Sequence, residues 1–233
     1  DVFTSFSSRM VIKLLKKKKN EEYKNLPQTL ADIDMLGYKH VSVVSINIFP
    51  TDEHEVLKKI VDGFKHFSLA NISCTNALLT KTKETTAFLK DLNEQISKDD
   101  TANLYVIHGT PRLDTVGIDS ISYSASFLEL ISENNFTCSL EGAFPYFEIN
   151  DVIKSRIEKL GLKKVQVVPL LLVSGNHYIE DMFEIKDDLS DKFESFIVPS
   201  LTKSEKFNLI ELPMIQNIIE KNIQNTFKMM GIS

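Results

Sequence analysis

The chain has 233 residues, 42% of them apolar and 25% charged, which is enough hydrocarbon for one large or two modest cores and excludes a disordered or fibrous chain. The net charge is −5, and only Arg9, Arg112 and Arg156 among 27 basic residues are arginines, so a surface that reads nucleic acid through many bidentate contacts is excluded. No apolar run approaches the roughly 20 residues of a membrane helix, so neither nucleic acid nor a membrane is expected as a partner.

Val2–Phe6 reads as a first strand. A helix over 8–19 follows and ends in the solvated run Lys16–Lys19, where cations suit the C-terminal dipole. Pro27 occupies the first turn of a second helix, which runs to Leu36 and stops at Gly37. Next come a strand over Val41–Ile48, a helix over 52–67, a strand over Asn71–Thr75 and a helix over 82–97. The polar stretch Ser97–Ala102 then reads as a linker. Beyond it, strands over Leu104–Ile107, Thr137–Glu141, Val165–Val173 and Ser195–Val198 alternate with helices. These helices cover 117–133, a segment capped by Asn150 and ending at Gly161, and 179–192; a last helix covers 213–230. Several strands are β-branched and apolar on both faces, as parallel strands covered by helices are. The alternation predicts an α/β fold with right-handed crossovers and parallel sheets.

An internal repeat sharpens this reading. Residues 36–44 align with 160–168 at a constant offset of 124, with six of nine positions identical, and both copies read as helix end, glycine stop and buried strand. Two related α/β lobes follow, at 1–98 and 99–205, with 206–233 a C-terminal helix packing back on the first lobe. The second lobe then has four strands and the first three, so a strand and a helix are expected to be missing before Asp1.

Chemistry concentrates at strand ends. His108 closes one strand, Glu141 closes another, and His177 follows Val165–Val173. All three fall at carboxyl ends within one predicted sheet, where open α/β sheets bind their ligands. Two imidazoles and a carboxylate suit a divalent first-row metal (Co²⁺, Fe²⁺, Ni²⁺ or Zn²⁺), and three protein ligands leave positions open for transfer. Glu53, which the offset pairs with His177, also lies past a strand end. His54 stands beside Asp52 and Glu53 at a helix start, where carboxylates favour the dipole as readily as they form a site. His40 and His66 read as solvated or structural, and Asp187, Asp188 and Asp191 as decoration of a surface helix. Glycine is scarce, with eight in the chain, and there is no G-x-G-x-x-G or Walker-type loop, so no nucleotide and no redox cofactor is expected. Cys74 and Cys138 lack metal-type spacing and read as free thiols of a reducing compartment. With no signal peptide visible, the expected location is cytoplasmic.

Ile107-His108-Gly109-Thr110, Leu140-Glu141-Gly142-Ala143-Phe144-Pro145 and Leu172-Val173-Ser174-Gly175-Asn176-His177-Tyr178-Ile179-Glu180-Asp181-Met182 together resemble the anaerobic cobalt chelatases of the CbiK type. The corresponding family motifs run GHG, VE-x-YP and LVAGDHAxNDM. Phe6–Ile12 resembles the family's FTSxMI segment, Asn47–His54 its HIxxGDEY-like stretch, and Glu211-Leu212-Pro213 the ENP that opens its last helix. The resemblance implies two Rossmann-like lobes related by a pseudo-two-fold, as in class II chelatases, with a tetrapyrrole in the cleft between them. It implies a lyase that inserts Co²⁺, or alternatively Fe²⁺ or Ni²⁺, into sirohydrochlorin on the anaerobic cobalamin route. By the same resemblance His108, Glu141 and His177 hold the metal, and Glu53 is a cleft carboxylate. His108, His177 and Glu53 would then accept protons, and Arg9 and Arg112 would meet ring carboxylates. A non-catalytic bilobal metal- or tetrapyrrole-binding protein is the alternative, and a homo-oligomer stays open. The family's opening strand and SFGTS-like loop have no counterpart here. Asn176 stands for a usual Asp, and Ala143 is an insertion that could shift the Glu141 carboxylate.

Overall fold

The computed structural model describes residues 1–173 and 180–232. The chain divides into two compact units. The first comprises Asp1–Ser45, Asp52–Ala77 and the chain from Ile219; the second comprises Ile46–Thr51 and Leu78–Ile218.

In the first unit, α1 (Arg9–Lys19) is capped by Ser8, whose hydroxyl accepts from the Val11 N–H at 3.3 Å. Asn25 and Gln28 form a reciprocal capping box at the start of α2 (Leu26–Met35), which satisfies two orphan donors. Strands β1 (His40–Val43) and β2 (Asn71–Cys74) pair in parallel, joined through α3 (Asp52–Lys65). Leu30, Ile33, Val41, Val43, Val61 and Ile72 form the core. The distal half of α8 (Pro213–Met229) belongs to this unit and is tied to the sheet by Ser42 and Thr226, whose hydroxyls lie 2.6 Å apart. The expected strand over Val2–Phe6 does not form: only Phe6 bridges Asn25, and the two aromatic rings pack individually, Phe3 edge-on to Tyr38 and Phe6 edge-on to Tyr23. Val2 is 96% exposed, so the stretch presents no alternating apolar face that would hold a strand in register.

The second unit holds a four-stranded parallel sheet of order β4-β3-β5-β6: β3 (Thr101–Gly109), β4 (Asn135–Glu141), β5 (Lys164–Leu170) and β6 (Glu194–Ile197). Helices α5 (Ile118–Ile131), α6 (Tyr146–Lys159) and α7 (Asp181–Ser190) connect them in turn. Strand β3 is buried from Thr101 to Ile107, which explains its unbroken apolar run. The two repeat copies are structurally equivalent. Leu36 and Leu160 end their helices, and β1 and β5 begin at His40 and Lys164, the same offset of 124.

Two expectations are corrected. The stretch Ser97–Ala102 is a helix-to-strand turn inside the second unit, not a boundary between lobes at residue 98, because α4 (Thr82–Ile96) belongs with the second sheet. The reason is a buried amide network. The Asn93 side-chain oxygen accepts from the Tyr105 hydroxyl and the Asn135 amide, both at 2.8 Å. The Asn135 oxygen in turn accepts from Asn103 at 2.7 Å, and Gln166 donates to the Ile96 carbonyl at 2.8 Å. Each of these groups would cost free energy if buried alone, so α4 cannot leave β3, β4 and β5 without exposing or orphaning all of them. The second correction concerns Asn150, which caps nothing. Helix α6 starts at Tyr146 behind Pro145, whose fixed φ of −61° suits the entry, and the Asn150 amide donates to Asp188 instead.

Replacing Asn93 with Leu removes the acceptor for two buried donors. It is expected to lower the stability of the second unit by about 2–5 kcal/mol, measured by urea unfolding. A change below about 0.5 kcal/mol, typical of a surface site, contradicts this role for the network.

Candidate functional site

The order β4-β3-β5-β6 contains a reversal. From β3 the chain steps to β4 on one side and then crosses over to β5 on the other. In parallel α/β sheets the carboxyl edge at such a reversal opens into a crevice. His108 lies at the end of β3 and Glu141 at the end of β4, on adjacent strands, while the segment that follows β5 carries His177. His177 and Asn176 lie outside the described residues.

His108 Nδ1 and Glu141 Oε1 are 3.6 Å apart, and both side chains are about half exposed. That separation is long for a direct hydrogen bond. Two donors each about 2.1 Å from one first-row ion and 3.6 Å apart subtend about 118° at it, within reach of tetrahedral geometry. Among the described residues no third His, Cys, Asp or Glu completes a metal-holding group with them.

The backbone brings these two side chains together by a reciprocal close approach. Gly109 (φ 82°) packs so tightly that a Cβ there would lie 1.9 Å from the Glu141 carbonyl oxygen. Gly142 (φ 80°) does the same on the other strand, where a Cβ would lie 1.7 Å from the Thr110 carbonyl oxygen. Only glycine fits either position, for its positive φ and for the missing side chain. The loop beyond Glu141 then folds back on β4. The Ser139 N–H donates to the Phe144 carbonyl at 2.9 Å, and its hydroxyl donates to the Ala143 carbonyl at 2.6 Å. This turn absorbs Ala143, so Glu141 keeps its register opposite Gly109. Phe144 is held at φ 62°, a costly conformation for a bulky residue, with its ring 62% exposed. Leu113 and Val116 after β3, and Val173 after β5, are likewise exposed on connections leaving the carboxyl edge. An imidazole and a carboxyl group amid exposed apolar side chains suit a ligand that is apolar and carries polar groups.

Other predicted site residues are placed as follows. The Arg112 guanidinium is engaged by Asp114 through Nε at 2.9 Å and an NH₂ group at 2.7 Å. Both partners are exposed, and exchange for another carboxylate is inexpensive there. Arg9 opens α1 and lines a cleft of the first unit with Lys13, Lys16 and Tyr23. Glu53 stands exposed on the first turn of α3, also in the first unit. His54 on the same turn is a buried structural histidine. Its Nδ1 lies 2.9 Å from the Ser45 hydroxyl, and the Ser45 N–H donates to Thr75 Oγ1 at 2.8 Å. His40 and His66 are exposed. Cys74 and Cys138 are free thiols, and burial pushes the Cys74 thiol up to about 11, which keeps it protonated and unreactive. The close approach of Gly109 and Gly142 was not foreseen from the sequence. Its signal was visible: a glycine directly follows each of the strand-end residues His108 and Glu141 in a chain with only eight glycines.

Comparison with known proteins gives a consistent result. The family model described as Cobalt chelatase (CbiK) matches residues 1–228. The sirohydrochlorin cobaltochelatase of Salmonella typhimurium is 22% identical over 184 residues, covering 78% of this chain and 67% of the relative. Among solved structures, SirB from Bacillus subtilis with Fe³⁺ aligns with a TM-score of 0.61 at 15% identity, over 87% of this chain and 77% of that one. The sirohydrochlorin chelatase SirB from Bacillus subtilis subspecies spizizenii, in complex with cobalt, aligns at 0.59 and 14% identity, over 89% and 78%. At such identities these two structures establish the fold.

Two outcomes are expected from this geometry. Gly142→Ala should destabilise the protein by about 2 kcal/mol or more, whereas Gly63→Ala, inside α3 with open space around it, should stabilise it by about 0.5–1 kcal/mol; thermal unfolding of both variants checks the contrast. The second outcome concerns pH. Burial, and then Lys58, hold the His54 imidazole below its ordinary value near 6.5, so the unfolded chain binds the extra proton first. Stability should therefore fall as pH drops below about 6.5, and the urea midpoint of His54→Gln should depend less on pH between about 7.5 and 5.5. Equal pH slopes for variant and wild type contradict the assignment.

Proposed function

The chain belongs to the cobalt chelatase (CbiK) family, and from that membership we propose that it inserts Co²⁺ into a tetrapyrrole of the sirohydrochlorin class, as a lyase. The observation that carries the reading is the His108–Glu141 pair, 3.6 Å apart at the carboxyl edge of adjacent parallel strands. His108, Glu141 and His177 are its metal ligands, and they leave positions open through which the ion passes to the ring. Insertion exchanges two pyrrole protons for one divalent ion, so two protons must be accepted. A neutral imidazole takes a proton readily near neutral pH, and as the ion departs for the ring one of the ligating histidines, His108 or His177, is free to take the first proton. Glu53 is the second acceptor. Arg9 and Arg112 meet the ring's carboxylates, and the exposed Phe144, Leu113, Val116 and Val173 offer apolar contact to its face. Fe²⁺ and Ni²⁺ are alternative substrates of the same donor set, since N and O ligands do not discriminate strongly among them. On this reading the reaction serves anaerobic cobalamin synthesis in the cytoplasm.

The test is the absorbance change of sirohydrochlorin with Co²⁺ under anaerobic conditions. His108→Ala and Glu141→Gln are each expected to slow insertion by about 100-fold or more. An unchanged rate in both variants contradicts the proposed roles. Asn176, where the chain departs from the family motif beside His177, favours the second reading of a binder without catalysis; tight ring or cobalt binding with no acceleration by the wild type selects it.

A further inference from the structure

Helix α6 begins five residues after Glu141, and Tyr146, its first residue, is buried. The Tyr146 side chain reaches across to α7, where its hydroxyl donates to Asp188 Oδ2 at 2.6 Å. The same oxygen takes the Lys154 ammonium at 2.8 Å and the Asn150 amide at 3.3 Å. Burial alone would raise the Asp188 carboxyl, but the hydrogen bonds from Lys154, Tyr146 and Asn150 outweigh it and hold the group ionised. Asp188 is thus no surface decoration, and Lys154, only 8% exposed, is a buried cation.

A partly buried ion pair of this kind adds little to stability that well-packed apolar residues would not supply, so its value lies in direction. Burial of the apolar residues of α6 (Ile153, Ile157) and α7 (Met182, Ile185, Leu189) is non-directional, whereas three donors converging on one oxygen fix a single register. One of the two helices they lock is continuous with Glu141: the loop over 142–145 runs directly into Tyr146. Metal ligands must stand within about 0.2 Å of their ideal distances, a tolerance that a sliding helix pair would exceed.

We infer that Tyr146, Asn150, Lys154 and Asp188 form a positioning unit that fixes the start of α6 and, through the short loop before it, the Glu141 carboxylate beside His108. The inference rests on the reading of Glu141 and His108 as metal ligands. Its test uses Tyr146→Phe, which removes one donor and leaves the ion pair intact, and the double variant Lys154→Met/Asp188→Leu, which leaves no buried charge unpaired. Cobalt affinity and the visible d–d spectrum at saturating Co²⁺ are measured on the full chain, alongside the urea midpoint. Tyr146→Phe should weaken cobalt binding by about three- to tenfold and the double variant by about ten- to 100-fold, with altered d–d bands that loss of stability alone does not produce. If the double variant does not fold, Tyr146→Phe decides by itself. Wild-type affinity and spectrum in the folded variants overturn the inference, provided His108→Ala and Glu141→Gln lose cobalt in the same assay. If those two also bind cobalt as the wild type does, the ligand assignment itself fails and the inference falls with it.

Discussion

Two backbone carbonyls and the glycines that face them set the carboxyl edge of the second sheet. The Glu141 carbonyl occupies the space where a side chain at Gly109 would be, and the Thr110 carbonyl does the same at Gly142. This crossed contact holds the last residues of β3 and β4 closer than side-chain-bearing residues allow. It therefore keeps the His108 imidazole and the Glu141 carboxylate 3.6 Å apart while both stay open to solvent. Without it the two side chains would still close adjacent strands, but nothing would fix their separation to within the tolerance of a shared ion.

Everything beneath that edge is arranged to keep it still. Strand β3 is buried along seven residues and flanked by β4 and β5, so it cannot shift without breaking two ladders. At the opposite end of the same strands, the amides of Asn93, Asn103, Asn135 and Gln166 join α4 to the sheet. Among the described residues no buried side-chain nitrogen or oxygen lacks a partner, as expected for a scaffold whose buried polar groups act as ties and not as defects. The sheet is thus secured by hydrogen bonds at its amino end and by glycine contact at its carboxyl end, and only the latter carries accessible chemistry.

Much of this was legible in the residues, and the rest was hidden for specific reasons. Strands β3 to β6 and their helices announced themselves because buried parallel strands are apolar on both faces and the intervening helices are amphipathic. The pairing of His108 with Glu141 followed from both residues closing strands of one sheet. The membership of α4 did not follow, because Asn93 and Asn103 look like any polar residues until their partners, 42 and 32 residues away, are known. Val2–Phe6 has the composition of a strand, but its two rings pack separately on Tyr38 and Tyr23 and Val2 stays in solvent, a tertiary fact no local pattern contains. Asn150 looked like a cap because Asn commonly is one, yet Pro145 starts the helix a turn earlier and frees the amide for Asp188. Asp188 itself sits in an acidic stretch, Asp187-Asp188, that resembles a solvated face; only the buried Lys154 opposite distinguishes it.

On the proposed function, the His108–Glu141 edge holds a divalent ion loosely enough to hand it on. The most direct test of this role is anomalous diffraction at the cobalt edge from crystals of the protein grown with Co²⁺. A single strong cobalt peak is predicted about 2.0–2.3 Å from a ring nitrogen of His108 and from a carboxylate oxygen of Glu141. Cobalt bound elsewhere, with both of these side chains uncoordinated, would contradict it.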